Sequence, residues 1–242
     1  SLKGMTVSWA SDVNQNALVD VDIASEDNFF AAIDNLLRQV DYFHEVKGKK
    51  GMVAKTVASS NLANGVAALL GEEVFEPKVG FKEFKPVIDK ALVYFEESDG
   101  ISVIGHTPEK DAFIGLILAI DMVLTLNKPL GAYLAEIEDR FGHYYPDRDG
   151  VTVSLQGDSL LQALDQLSTY GPGSQVKVGE HGKTIVSVID IDGRKMLFDD
   201  GSWIMIRPSG TEPVLRVYAE GRSPEMLKAL IGYGQQVAEK AS

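Results

Sequence analysis

The apolar pattern changes period partway along this chain, and that change constrains the fold more than any other feature. Up to about residue 140, short apolar runs alternate with stretches of helical spacing. MTVSWA (5–10), NALVDVD (16–22), residues 52–57, EEVFEPKVG (72–80) and LVYFEES (92–98) read as strands. Between them, residues 26–46 place Phe29, Phe30, Ile33, Leu36, Leu37 and Val40 at helical spacing. SNLANGVAALLG (60–71) reads as a short helix stopped by Gly71. FKEFKPVIDKA (81–91) reads as a helix shortened by Pro86, and PEKDAFIGLILAIDMVLTL (108–126) as a buried helix with Pro108 near its start. LGAYLAEIEDRF (130–141) reads as another helix. Strands alternating with helices predict a layered α/β domain with a mainly parallel sheet.

After GHYYPDRDG (142–150), which reads as a turn-rich polar break, the strands come at hairpin spacing. They are VTVSL (151–155), QVKVGE (175–180), TIVSVIDID (184–192), SWIMIRP (202–208) and VLRVYAE (214–220). Helices are expected over 157–170 and from about 224 to 240. This half predicts a smaller α+β domain with an antiparallel sheet. The expected division is 1–22 as the end of a preceding region, 23–145 as the α/β domain and 146–242 as the C-terminal domain.

A net charge of −12 argues against broad nucleic-acid or anionic-membrane binding, so any anion site must be locally basic. With no cysteine there is no disulfide, thiol nucleophile or cysteine zinc site. No apolar run reaches the length of a membrane span, and the N-terminus carries no signal-peptide pattern. The expectation is a cytoplasmic protein.

Two stretches carry chemistry. In RPSGTEPVLRVYAE (207–220), Arg207 can form a bidentate pair with a phosphate, Ser209 and Thr211 offer hydroxyls, and Gly210 lets the backbone approach a ligand; Arg216 follows. These parts suit a phosphate monoester, and equally a β-turn that satisfies its own backbone, with the arginines in surface ion pairs. In FEESDG (95–100), Glu96 and Ser98 point the same way if the strand persists, a pairing that suits a sugar diol; a solvated acidic turn is the other reading. Lys82, taken alone, is a surface charge.

RPSGTEPVLRVYAE resembles the C-terminal phosphate-binding loop of the α-D-phosphohexomutases, the phosphoglucomutase/phosphomannomutase superfamily. VAKTVASSNL (53–62), KVGFKEFKPVI (78–88) and FEESDGISVIGHTPEKDA (95–112) are similar to further segments of that family, in the family's order. The resemblance covers the third and fourth domains. It implies a three-layer α/β domain with a mainly parallel sheet, followed by an α+β domain related to the TATA-box-binding-protein fold. It also implies that Glu96 and Ser98 read sugar hydroxyls, and that Lys82 faces the active cleft as the catalytic candidate. Arg207, Ser209, Gly210, Thr211 and Arg216 would hold the non-reacting phosphate of a hexose phosphate. Phe95 and Asp99 depart from the family pattern, and His106 reads as a capping or packing residue.

The family moves phosphate between O1 and O6 of a hexose through a phosphoserine and a bisphosphorylated sugar, with Mg²⁺ held by a D-x-D-x-D-R loop. No T-x-S-H-N-P serine loop occurs in these 242 residues. At the expected metal position stand Asp12, Asn14, Asn16 and Ala17, either an eroded metal loop or a simple turn. The resemblance therefore implies a C-terminal fragment that binds substrate, lacks the phosphoserine, is inactive alone and needs the N-terminal domains as partners. A catalytically inactive sugar-phosphate-binding or regulatory homologue is the alternative.

Overall fold

The computed structural model describes residues 6–10, 18–22, 42, 47–98, 100–153, 165–209 and 212–241. Strands β1 (Thr6–Ala10) and β2 (Leu18–Asp22) form an antiparallel pair with Thr6 opposite Asp22. Of the helix expected over 26–46, all but Tyr42 among the residues up to 46 lies outside the described residues.

A four-stranded sheet is ordered β4–β3–β5–β6, from β3 (Met52–Lys55), β4 (Val74–Phe75), β5 (Ala91–Phe95) and β6 (Ile101–Val103). β3 runs parallel to both β4 and β5, while β6 is antiparallel to β5. Every residue of β5 is buried, as a continuous apolar strand covered on both faces must be. Helices α1 (Leu62–Leu70), α2 (Ala112–Leu126) and α3 (Leu130–Phe141) cover one face, where Val66, Met122 and Ile137 meet Val53, Val93 and Phe95. The other face packs Ala54 and Tyr94 against Phe81, Phe84 and Val87.

Several expectations are corrected here. Residues 81–87 form a 3-10 helix, with Pro86 inside it. Proline has no N–H for the bond to residue i−4, so the tighter short helix wins. The strand expected over 72–80 is confined to Val74–Phe75, since Pro77 cannot donate to a ladder. α2 starts at Ala112, after Pro108, because the Asp111 carboxylate accepts from Phe113 N at 2.8 Å and caps it there. Nor is α2 fully buried: Phe113, Ile117 and Leu124 are exposed, and Leu118 and Met122 are the residues it buries. β6 stood out in no pattern, being three residues long.

The second sheet is antiparallel and six-stranded, ordered β7–β12–β11–β10–β9–β8. Its strands are β7 (Tyr145–Thr152), β8 (Gln175–Val178), β9 (His181–Ile189), β10 (Arg194–Phe198), β11 (Trp203–Pro208) and β12 (Val214–Gly221). The polar stretch at 142–150 is thus largely strand, not a break. β7 pairs with β12 from Tyr145–Gly221 to Thr152–Val214, and an edge strand needs no apolar sequence to hold a backbone ladder. β10 begins with two cations and was not anticipated. Within 157–170, described residues include a 3-10 turn, Gln166–Thr169. α4 (Pro224–Ala241) covers one face, where Leu230 and Val237 meet Ile204, Ile206, Val217 and Ala219.

Candidate functional site

Residues directly opposite in an antiparallel pair share a face of the sheet. The registers set Trp203 opposite Glu220, Met205 opposite Tyr218, and Arg207 opposite Arg216. They also set Lys195 opposite Met205, and Arg148 opposite Tyr218. All of these therefore lie on the face away from α4. There Trp203, Met205 and Tyr218 pack on Val57 and Ala58, from the loop that follows β3. The two sheets meet along this seam.

The middle of the seam is a buried lattice of charges. Lys195 Nζ donates to Val57 O at 2.7 Å, to Asn61 Oδ1 at 3.2 Å and to Glu76 Oε1 at 3.3 Å, and lies 4.2 Å from the Trp203 ring centre. Lys55 Nζ lies 3.2 Å from Glu76 Oε2 and donates to Ser59 O at 3.2 Å. Glu220 accepts from Asn61 N and, at 2.8 Å, from Trp203 Nε1. Burial, reinforced by Lys195, lowers the Lys55 ammonium to about 7. Burial also lowers Lys195, against the pull of Glu76 and Glu220. For Glu76 burial acts upward, but Lys55 and Lys195 outweigh it and hold the carboxyl below its ordinary value.

At one end of the seam stands Arg207. Its Nε lies 3.0 Å from Asp192 Oδ2, although the N–H is not aimed at that oxygen, and the guanidinium acts to lower the Tyr218 phenol. The side chain is 16% exposed, against 38% for Arg216, which pairs with Glu212. Ser209 N donates to Val214 O at 2.9 Å, closing the loop; Gly210 and Thr211 lie outside the described residues.

Glu96 and Ser98, expected to read a sugar diol if the strand persisted, lie in a turn instead. β5 ends at Phe95, so Glu96 and Ser98 do not alternate along a strand. Glu96 N donates instead to Gly100 O at 2.9 Å and turns the chain. The buried Glu96 carboxylate accepts from Lys110 Nζ at 3.2 Å and from the exposed Ser98 Oγ at 3.4 Å. A Cβ at Gly100 would lie 2.5 Å from Glu96 Oε2 and 2.9 Å from Lys110 Cδ, so a side chain there would push this ion pair aside. Lys82 is 77% exposed, 4.0 Å from Glu83. His106 lies 2.8 Å from Asp111; Asp111, not His106, is the cap of α2.

Glu97, Thr56, Tyr218, Arg148 and Asp192 were not singled out from the sequence. Glu97 is buried and accepts from Thr56 Oγ1 at 2.7 Å; burial pushes its carboxyl up. Burial, and after it the Glu97 charge, raises the Tyr218 phenol, while Arg207 and Arg148 act the other way. Tyr218 thus feels the charges of both Arg207 and Glu97, the neighbour of Glu96. The signal was the alternation Arg216, Tyr218, Glu220 in β12, which puts all three on one face.

No group of three His, Asp or Glu side chains among the described residues is placed to hold a metal ion. Asp12 lies outside the described residues, as do Asn14, Asn16 and Ala17. A set of one carboxylate and two neutral amides does not fit the anionic oxygen cage expected of a Mg²⁺ site. Among the described residues, no single helix is long and apolar enough to cross a membrane.

Residues 29–141 match the family described as "Phosphoglucomutase/phosphomannomutase, alpha/beta/alpha domain III". Residues 160–231 match "Phosphoglucomutase/phosphomannomutase, C-terminal domain". The chain is 26% identical over 197 residues to a phosphoglucomutase/phosphomannomutase of Thermococcus kodakarensis, covering 79% of this chain and 38% of the relative. It is 30% identical over 206 residues to a phosphoglucomutase of Komagataeibacter xylinus, covering 74% and 34%. Among solved structures, a putative phosphomannomutase of Thermus thermophilus superposes with a TM-score of 0.67 at 26% identity, covering 86% of this chain and 40% of that one. The chain thus spans well under half the length of these relatives. From its two matched regions and its fold, the chain belongs to the phosphoglucomutase/phosphomannomutase family.

Proposed function

We propose that this chain is the substrate-holding half of a phosphohexomutase that interconverts hexose 1-phosphate and hexose 6-phosphate. Residues 23–145 form the sugar-reading unit and 146–242 the phosphate-holding unit. The supporting observation is the register of β11 and β12, which sets Arg207 opposite Arg216 on the face that also carries Tyr218, where Tyr218 feels the charges of both Arg207 and Glu97. A phosphate clamp and a sugar reader must face one ligand, and a seam between the two sheets supports that reading.

In this reading, Arg207 and Arg216 neutralise the non-reacting phosphate, and Ser209, Gly210 and Thr211 close around it with hydroxyls and backbone. Glu96 and Ser98 accept and donate to the sugar hydroxyls. To bind a diol Glu96 shares its carboxylate between the sugar and Lys110, which keeps the buried charge compensated throughout. Lys82 is the cation nearest in role to the reacting hydroxyl. The phosphoryl donor is a serine outside these residues: its phosphate passes to the sugar, the bisphosphate turns over, and the other phosphate returns to the serine. This chain contributes orientation and charge neutralisation, the two requirements of phosphoryl transfer that a binding half can meet. Its partners are the hexose phosphate and the serine-bearing domains, in the cytoplasm, with no nucleic acid or membrane involved.

Calorimetric titration of glucose 1-phosphate into the chain tests the clamp. Arg207→Ala is expected to weaken binding about tenfold or more, the scale of a lost charge-assisted pair. Unchanged affinity would overturn the assignment. Asn14, Asn16 and Ala17 support a second reading, an inactive sugar-phosphate-binding regulator. Mutase turnover by a full-length product with a T-x-S-H-N-P serine decides for the enzyme; ligand binding without turnover decides for the regulator.

A further inference from the structure

Asp192 sits in the hairpin turn between β9 and β10, outside every motif that marks the family here. Its Oδ2 meets two groups from different parts of the fold. One is Arg207 Nε at 3.0 Å, on β11; the other is Val79 N at 3.1 Å, in the segment leading to Lys82. The neighbouring cation is engaged elsewhere: Arg194 donates to Asp190 at 3.0 and 3.1 Å and to Tyr170 O at 2.6 Å. Asp192 is therefore not half of a local hairpin ion pair.

The turn is built to sit against Arg207. Gly193 has φ +93°, in the region that favours glycine. A Cβ there would lie 2.4 Å from Ile206 O and 2.6 Å from Arg207 Cβ. Only a residue without a side chain lets the turn come this close. Val79 is held from its own side as well, since it packs against the cluster of Val57, Trp203 and Tyr218.

We propose that Asp192 is a positioning residue for phosphate-monoester binding: it holds the Nε edge of Arg207 and the Val79 amide together, fixing the guanidinium relative to the Lys82 segment. With Asp192 Oδ2 3.0 Å from Nε, the ion pair anchors that side of the guanidinium and leaves the other edge for an anion. An arginine held this way loses less side-chain entropy when it grips an anion. The inference rests on the reading of 207–213 as a phosphate loop.

The test is calorimetry of the whole chain with glucose 1-phosphate and with inorganic phosphate, using Asp192→Asn, Asp192→Glu and Asp192→Ala. Asparagine keeps an oxygen acceptor in place and is expected to hold affinity within about threefold, whereas glutamate, which keeps the charge but displaces it, and alanine each lose about tenfold. A carboxylate acting merely as a competing anion gives the reverse order, with Asn and Ala binding tighter than wild type, and that result overturns the proposal. So does an equal loss from Asp192→Ala in an Arg207→Ala background, where a residue acting through Arg207 has nothing left to orient. The Asn–Glu comparison decides the matter even if the alanine variant fails to fold. Normal binding by Arg207→Ala alone sinks the phosphate-loop reading itself, a separate outcome from failure of the Asp192 variants.

Discussion

Two regions of one sheet face carry the same kinds of residue and put them to opposite uses. In the middle of the seam, Lys195 and Glu220 are each 1% exposed, and the loop after β3 supplies partners for both. At the end of the face, Arg207 and Arg216 each face a single carboxylate and keep solvent contact. What differs is the cover. A loop and a second sheet are docked over the first pair, and the second lies at the ends of β11 and β12. Burial makes a charge structural, because removing its partner strands the other ion; partial exposure leaves it able to exchange a weak partner for a ligand.

The largest expected effect breaks the buried side of this contrast. Lys195→Ala removes one of the two cations beside Glu76 and the donor to Val57 O and Asn61 Oδ1, and is expected to destabilise the fold by about 3–5 kcal/mol in urea unfolding, whereas Arg207→Ala costs less than about 1 kcal/mol. Equal losses would erase the distinction. Next comes Gly193→Ala, expected to cost about 2 kcal/mol or more through its positive φ and its collision with Ile206 O, and to weaken phosphate binding with it. Stability close to wild type would mean that the turn does not need this approach.

A pH series sharpens the comparison further. Lys55 is held at about 7 in the folded protein against an ordinary 10.5. Between those values the unfolded chain binds the extra proton, so stability rises with pH and is lost as pH falls back through 7. Compared with Lys55→Met, the wild type is expected to gain on the order of 1–2 kcal/mol from pH 7 to pH 9. Parallel pH curves for the two proteins would show that Lys55 is not desolvated as described. The smallest effect belongs to the exposed side, where Lys82→Ala is expected to leave stability within about 0.5 kcal/mol. A larger loss would place Lys82 among the structural charges.

Period and punctuation made much of this fold legible. The alternation of β11 and β12, the stop at Gly71 and the apolar spacing of α3 are local signals, and each element formed where its signal lay. β10 was not legible because its cations, Arg194 and Lys195, read as solvated; Lys195 is buried only because another part of the chain covers it. Arg207, Glu96 and Ser98 could be picked out by residue type and motif. Their surroundings could not, since Tyr218, Glu97 and Asp192 gain their meaning from contacts that join distant segments. The strand was expected to run to Ser98 but ends at Phe95, three residues earlier, where the chain enters the turn closed by Glu96 N and Gly100 O.

The polar stretch at 145–150 has a consequence of its own. β7 closes the sheet on one side, and a terminal strand offers unpaired backbone to any passing chain. Here Pro146 removes a donor, and the exposed Asp147, Arg148 and Asp149 set fixed charges along that border. An incoming strand would have to desolvate them before its first hydrogen bond. The composition that read as a polar break thus makes this open edge a poor template for another strand.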